Sequence, residues 1–171
     1  MSTSGERAAP GRTVVIGLGN DWRGDDRAGL ETVRVLREEL PAGGAPGVAI
    51  VEGGGDLTEL IDVWAGADLA VVIDAVRTGA APGTVHRWAG TAAAPGWRYS
   101  SHALGLADAL GLGRALGRMP GELLLIGIEG ERFAIGAAMS PAVRAAAART
   151  ARDLARTLCG PGRTPAGERS R

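Results

Sequence analysis

Four short apolar runs separated by helical stripes constrain this chain more than any other feature. Residues 13–18 form a β-branched run closed by Gly19 and Asn20, and residues 69–73 are the most continuous apolar stretch, ending in Asp74. Residues 48–51 and 122–126 supply two more. Runs this short and this apolar predict strands covered on both faces. Between them, Leu30, Val33, Leu36 and Leu40 recur at helical spacing until Pro41 stops them. Leu57, Leu60, Ile61 and Trp64 mark a second helix behind the capping pair Asp56 and Glu59. Val143, Ala147, Ala151, Leu154 and Leu158 stripe a last helix that opens at Ser140 and Pro141. Residues 84–88 alternate like a half-exposed strand. Strands alternating with helices predict an α/β fold. The form expected is a three-layer α/β/α sandwich with a mostly parallel five-stranded sheet and residues 84–88 as one antiparallel edge strand.

At 171 residues one domain is the natural count. It is expected over residues 12–159, because residues 1–11 and 160–171 are rich in Gly, Pro, Ser and Arg, lack hydrophobic periodicity and read as disordered tails. Nineteen cations, all arginine, balance nineteen carboxylates, and the aromatic set is only four Trp, one Tyr and one Phe. Balanced charge denies a phosphate backbone its counterions, and few aromatics leave little to stack on bases, so no nucleic-acid partner is expected. A single cysteine, Cys159, excludes an internal disulfide framework and fits a reducing compartment. The N-terminus has no apolar leader, and no run approaches the roughly 18 apolar residues of a membrane span, so the expected location is cytoplasmic, with no membrane partner.

Several chemistries can be weighed from spacing. Gly17-Leu18-Gly19 opens like a dinucleotide fingerprint, but Trp22 stands where the third glycine belongs, and Asp25 and Asp26 would repel a pyrophosphate. A nucleotide-binding α/β protein is therefore a minor reading. There is no GxSxG elbow, no HExxH, and no cysteine suitably placed beside a histidine. Of the two histidines, His86 lies in the alternating strand and reads as part of a solvated face, whereas His102 follows Ser100 and Ser101 in a loop before an apolar helix. In open α/β sheets, sites form beyond the carboxyl ends of the strands, and three segments place polar residues there: the loop holding Asp25 and Asp26, the strand ending at Asp74, and the loop of His102. Asp26, Asp74 and His102 together would offer two carboxylates and an imidazole, a set suited to a divalent cation such as nickel or zinc with open coordination positions. The same residues have plainer readings. Asp25 and Asp26 could cap the first helix, Asp74 could begin a turn, and His102 could bond a backbone carbonyl. Asp56, Asp108 and Glu129 carry ordinary capping or helix-face readings.

The motifs taken in order resemble a known family. Gly17-Leu18-Gly19-Asn20 with Gly24-Asp25-Asp26, then residues 71–75 around Asp74, then Ser101-His102-Ala103-Leu104-Gly105-Leu106, then Gly136 with Ser140-Pro141-Ala142-Val143, are similar to the hydrogenase maturation endopeptidases, the nickel-dependent proteases of [NiFe]-hydrogenases. The likeness runs from about Thr13 to Leu158. It implies an aspartic-type endopeptidase that removes the C-terminal extension of a hydrogenase large-subunit precursor after nickel insertion. The nickel, carried by the precursor, would serve as the recognition signal. The family's acidic, strand-end and histidine positions fall on Asp26, Asp74 and His102, which the resemblance makes both catalytic and metal-contacting. Arg27 departs from a glycine common in the family. The alternative from another class is a non-catalytic, nickel-dependent binding or chaperone module for the same large subunit. Trp88, Trp97 and Tyr99, in and around the loop of residues 89–100, could line a substrate groove or simply pack.

Overall fold

A computed structural model of the chain describes residues 11–54, 56–90, 99–160 and 168–169. Strand β1 (Thr13–Leu18) is buried along its whole length and leads through a loop and a 3-10 turn, η1 (Gly24–Arg27), into helix α1 (Ala28–Glu39). Then come β2 (Val48–Gly53), α2 (Leu57–Trp64), β3 (Leu69–Val76), β4 (Val85–Ala89), α3 (Ala103–Ala115), β5 (Glu122–Glu129) and α4 (Pro141–Cys159). The sheet order is β2-β1-β3-β5-β4; the first four are parallel, and β4 runs antiparallel to β5. A two-residue strand, β6 (Glu168–Arg169), adds to Trp88 and Ala89 in parallel. The predicted sandwich, its mostly parallel sheet and its antiparallel member are all present. The expected disorder of the tails concerns residues that, apart from 11, 160 and 168–169, lie outside the described ones, as does Trp97.

Two apolar layers hold the sheet. On one face Val15, Val71, Ile73 and Ile126 pack with Val33 and Leu36 of α1 and with Val143, Ala147, Leu154 and Leu158 of α4. On the other, Ile16, Val72 and Leu125 meet Ile61 and Trp64 of α2 and Leu106 and Leu110 of α3. Apart from Leu57, whose side chain lies outside the described ones, the stripes read from sequence are the ones buried, as a 3.6-residue period requires of helices lying flat on a sheet. No helix among the described residues is long and apolar enough to cross a membrane.

Strand lengths depart from the apolar runs. The run 69–73 stops at Asp74, but β3 continues to Val76 because Asp74, Ala75 and Val76 pair with Gly127, Ile128 and Glu129 of a similarly extended β5. Asp74 therefore lies inside a strand, fully buried, rather than at a turn. Hydropathy reports side chains, whereas ladder bonds involve only backbone, so a carboxylate with its own partners does not end a strand.

Glycines set how closely α1 approaches. A Cβ on Gly17 would come within 2.3 Å of the Gly29 carbonyl oxygen, and one on Gly29 within 2.2 Å of the Ile73 oxygen and 2.4 Å of the Leu18 oxygen. The first turn of α1 thus rests directly on the backbone of β1 and β3, and Gly17 serves helix-to-strand contact rather than a dinucleotide. Gly24 combines φ +51° with a site where a Cβ would stand 2.3 Å from the Arg132 oxygen. Alanine at Gly29 would gain about 1 kcal/mol of helix propensity. The clash is with backbone on two strands, so overpacking wins. Gly29→Ala should lower stability by about 2 kcal/mol net, read as a fall in the denaturant midpoint at unchanged m.

Candidate active site

The site lies at the carboxyl ends of β1 and β3, where the chain returns past β1 and the sheet order changes direction. Asp74, from β3, is its centre. Ser100 Oγ donates to Oδ2 in a short bond, Ser101 Oγ donates to Oδ1 at 2.9 Å, and the Ala75 N–H donates to Oδ1 at 2.9 Å. The His102 N–H donates to Oδ2 at 3.3 Å. Nδ1 of His102 lies 3.1 Å from Oδ1 and 3.2 Å from Oδ2. An antiparallel bridge from Val76 to Ser100 and a bond from the Ser101 N–H to the Ala75 oxygen bring this loop against the strand. Residues 100–102 are thus folded around one carboxylate, and α3 begins immediately beyond it. No hydrogen bond reaches His102 Nε2 from the described residues, so the ring is fixed through one nitrogen with the other left available.

Asp25 and Asp26 have separate jobs, and neither caps a helix: no side chain caps the start of η1 or α1. Asp25 is fully buried. Its Oδ2 accepts the Glu131 and Arg132 N–H groups at 2.9 Å each and the Ser140 hydroxyl at 2.8 Å, and its Oδ1 accepts the Ser140 N–H at 2.7 Å. Burial pushes its carboxyl up, but these bonds outweigh burial and hold it below the ordinary carboxylate value. Ser140 starts α4, as read from sequence, but its hydroxyl serves Asp25 and Glu131 rather than capping its own helix.

Asp26 is buried too, and its Oδ1 has no hydrogen-bond partner among the described residues. An unpaired carboxylate oxygen away from water is costly, and such groups occur where a ligand or reacting group completes them. Its charge acts on His102. Burial pushes that imidazole's affinity for protons down, yet the bond to Asp74, the charge of Asp74 and the charge of Asp26 outweigh burial and the opposing charge of Arg23, so the pKa is raised. The structure therefore brings the three singled-out residues to one edge: Asp74 and His102 in direct contact, and Asp26 close enough to act on His102 electrostatically. No three His, Cys, Asp or Glu side chains among the described residues form a closed cation site by themselves. Both Asp74 oxygens are already engaged by hydroxyls and imidazole.

The other candidates sort plainly. Asp56 caps α2 by accepting the Thr58 and Glu59 N–H groups. Glu129 departs from a capping or helix-face role: it ends β5, is buried, and accepts from the Thr78 N–H, the Thr78 hydroxyl and the Gly79 N–H at 2.8, 2.7 and 3.0 Å. His86 departs from a solvated face, because its Nε2 lies 3.2 Å from Glu129 Oε2 and its ring stacks on Trp88 at 5.1 Å. Antiparallel pairing with β5 turns His86 toward that buried acid, a contact 43 residues distant in sequence. Arg27 sits at φ −83° and ψ 8°, which needs no glycine. Sequence reasoning missed Ser100, Ser101 and Asp25 as parts of the site's frame. The pair of hydroxyls next to His102 was the signal for the first two.

Two measurements test this geometry. In the metal-free protein, the His102 ring should titrate by NMR above the ordinary histidine value. Asp74→Asn, which removes the bond and charge that oppose burial, should lower that value. Asp25→Ala leaves three backbone donors and a hydroxyl without their acceptor and should cost about 3 kcal/mol. Because its folded pKa is lowered, the contribution of Asp25 is present above the unfolded carboxylate value and is lost as pH falls through the folded one. The stability gap between wild type and variant should therefore narrow in acid.

Comparison with known proteins gives the family of the chain. The family model described as HycI, hydrogenase maturation protease, matches residues 32–156. The hydrogenase expression/formation protein HoxM of Azotobacter vinelandii is 33% identical over 150 residues, covering 78% of this chain and 69% of that protein. The chain spans only 56% of the related HupM of Azotobacter chroococcum. The hydrogenase 2 maturation protease of Escherichia coli is 32% identical over 139 residues, covering 78% of this chain and 82% of its own. Among solved structures, the hydrogenase maturating endopeptidase HybD from Escherichia coli superposes with a TM-score of 0.69 at 28% identity, covering 84% of this chain and 89% of HybD. With the family model spanning most of its length and relatives above 30% identity, this chain belongs to the hydrogenase maturation protease family.

Proposed function

We propose that this protein is an endopeptidase that removes the C-terminal extension of a [NiFe]-hydrogenase large-subunit precursor once nickel has been inserted, with the precursor's nickel as the recognition signal. The observation that carries the reading is the buried Oδ1 of Asp26, without a partner among the described residues, near a histidine whose far nitrogen accepts or donates no hydrogen bond among them either. An incomplete polar site suits a centre that the substrate itself brings. The precursor's nickel, held by the precursor's own ligands, would meet Asp26 and His102 Nε2 at its open positions. Asp74 orients and polarises His102, and it can join as a third ligand by giving up one serine bond. Docking in this way fixes the scissile peptide next to the site, which converts hydrolysis into a reaction of prepositioned groups.

The attacking water needs a base. Asp74 has its oxygens filled by two hydroxyls, two N–H groups and the imidazole, which leaves Asp26 as the carboxylate with capacity to accept a proton. The reading is thus aspartic-type. Its location is the cytoplasm, in keeping with one unpaired cysteine. A nickel-free precursor brings nothing for Asp26 and His102 to hold, so insertion is checked by binding itself.

Incubation with nickel-loaded precursor should shorten it, seen as a mobility shift and a released C-terminal peptide, whereas nickel-free precursor should stay intact. Asp26→Asn and His102→Ala should each slow processing by roughly a hundredfold or more while the protein stays folded, as melting curves check. Normal processing by His102→Ala would overturn the site assignment. Tight association without shortening by the wild type would instead favour a binding or chaperone module.

A further inference from the structure

Around the polar centre stand the three most exposed large apolar side chains of the described residues. Trp22 is 77% exposed, Ile135 84% and Leu104 85%. They come from three separate segments, each tied to a site residue. Trp22 lies two residues before η1, which carries Asp26. Leu104 is in the first turn of α3, two residues after His102. Ile135 lies in the loop from β5 to α4, the same loop whose N–H groups hold Asp25. A bond of 2.7 Å from the Gly136 N–H to the Trp22 oxygen joins that loop to the first. Single exposed apolar residues are ordinary, but three large ones, each on a segment that carries or holds a site residue, leave an apolar fringe that water solvates poorly.

The patch continues in two ways. Trp22 borders an open pocket of about 370 Å³ whose wall is largely polar, with Asp21, Arg34, Glu52 and Glu59 beside Leu30 and Gly53. Two guanidinium groups flank it. Arg77 lies 3.9 Å over the Phe133 ring, and Arg23 Nε donates to the Phe133 oxygen at 3.1 Å. Neither is in an ion pair among the described residues, whereas Arg34 and Arg37, on the outer side of the same region, are committed to Asp21 and Glu52. Apolar side chains with braced, carboxylate-free cations complement a polypeptide that is apolar and carries an acidic group.

We infer that Trp22, Ile135 and Leu104 form a docking platform that seats an apolar, acid-flanked stretch of the precursor polypeptide beside the scissile bond. This rests on the proteolytic reading above, because the platform is continuous with the site that the precursor must enter. Seating there holds the precursor against the site through contacts made equally before and during the chemical step, so the platform supplies substrate affinity rather than chemistry.

The test uses the full-length protein and the nickel-loaded large-subunit precursor from the same organism, with KM and kcat measured separately. The double variant Trp22→Ser/Ile135→Ser should raise KM by roughly tenfold or more and leave kcat within about twofold, and Leu104→Ser should shift KM in the same direction. Trp22→Phe should restore most of the affinity, which a merely structural tryptophan would not predict. Leu116→Ser, on the far end of α3, should leave both constants unchanged. All four positions are exposed, and melting curves confirm folding. An unchanged KM in the double variant overturns the platform even if His102→Ala has abolished cleavage. Undiminished cleavage by His102→Ala overturns the catalytic reading even if the platform variants lose affinity. A wild-type dimer in sedimentation that the double variant dissolves, with KM unchanged, would assign the patch to a second copy of this chain and likewise overturn the proposal.

Discussion

The site exists because one helix start is allowed to lie against two strand backbones. Gly17 and Gly29 face each other where β1 meets α1, and Gly29 also meets the Ile73 carbonyl of β3. With any side chain there, the first turn of α1 would be pushed off the sheet by a distance that dispersion forces do not tolerate. Because it is not, η1 sits over the end of β3, and Asp26 arrives within electrostatic reach of a histidine whose partner is on that strand. Backbone proximity, rather than any single polar bond, is what the remaining geometry builds on.

Upon that contact three carboxylates divide the work by saturation. Asp25 and Asp74 are each filled with donors, and each fixes a loop: Asp25 the segment leading to α4, Asp74 the turn leading to α3. Asp26, next to Asp25 in the chain, has no donor to its Oδ1 among the described residues. Filled carboxylates make the frame rigid; the unfilled one keeps a reason to bind something. That division suits an enzyme whose centre is completed by its substrate. A self-contained site would tie up the oxygen needed for chemistry, and an unframed one would let Asp26 relax toward solvent.

Much of this was legible from residues alone. Helical stripes and strand runs predicted the layers, because burial on a sheet imposes periods of 3.6 and 2 that hydrophobic residues must follow. Asp26, Asp74 and His102 stood out because polar residues at the carboxyl edge of an apolar sheet conflict with their surroundings unless they have work to do. The length of β3 was not legible, since pairing with Gly127 and Glu129 is backbone chemistry that hydropathy does not record. Nor was the pairing of His86 with Glu129, which only the antiparallel course of β4 beside β5 produces.

Sequence by itself determined the class of fold, the helical faces, the end of the sheet where a site would form, and the residue types present there. Only tertiary structure decided which of two adjacent aspartates became scaffold and which stayed open. Asp25 and Asp26 are identical in chemistry and differ by one step along a 3-10 turn, yet that step aims one at the N–H groups of a loop more than a hundred residues away and leaves the other without a donor to its Oδ1 among the described residues, its charge acting on His102. Local propensity is the same for both. What separates them is the direction of a side chain relative to distant donors, a property that exists only after the chain has folded.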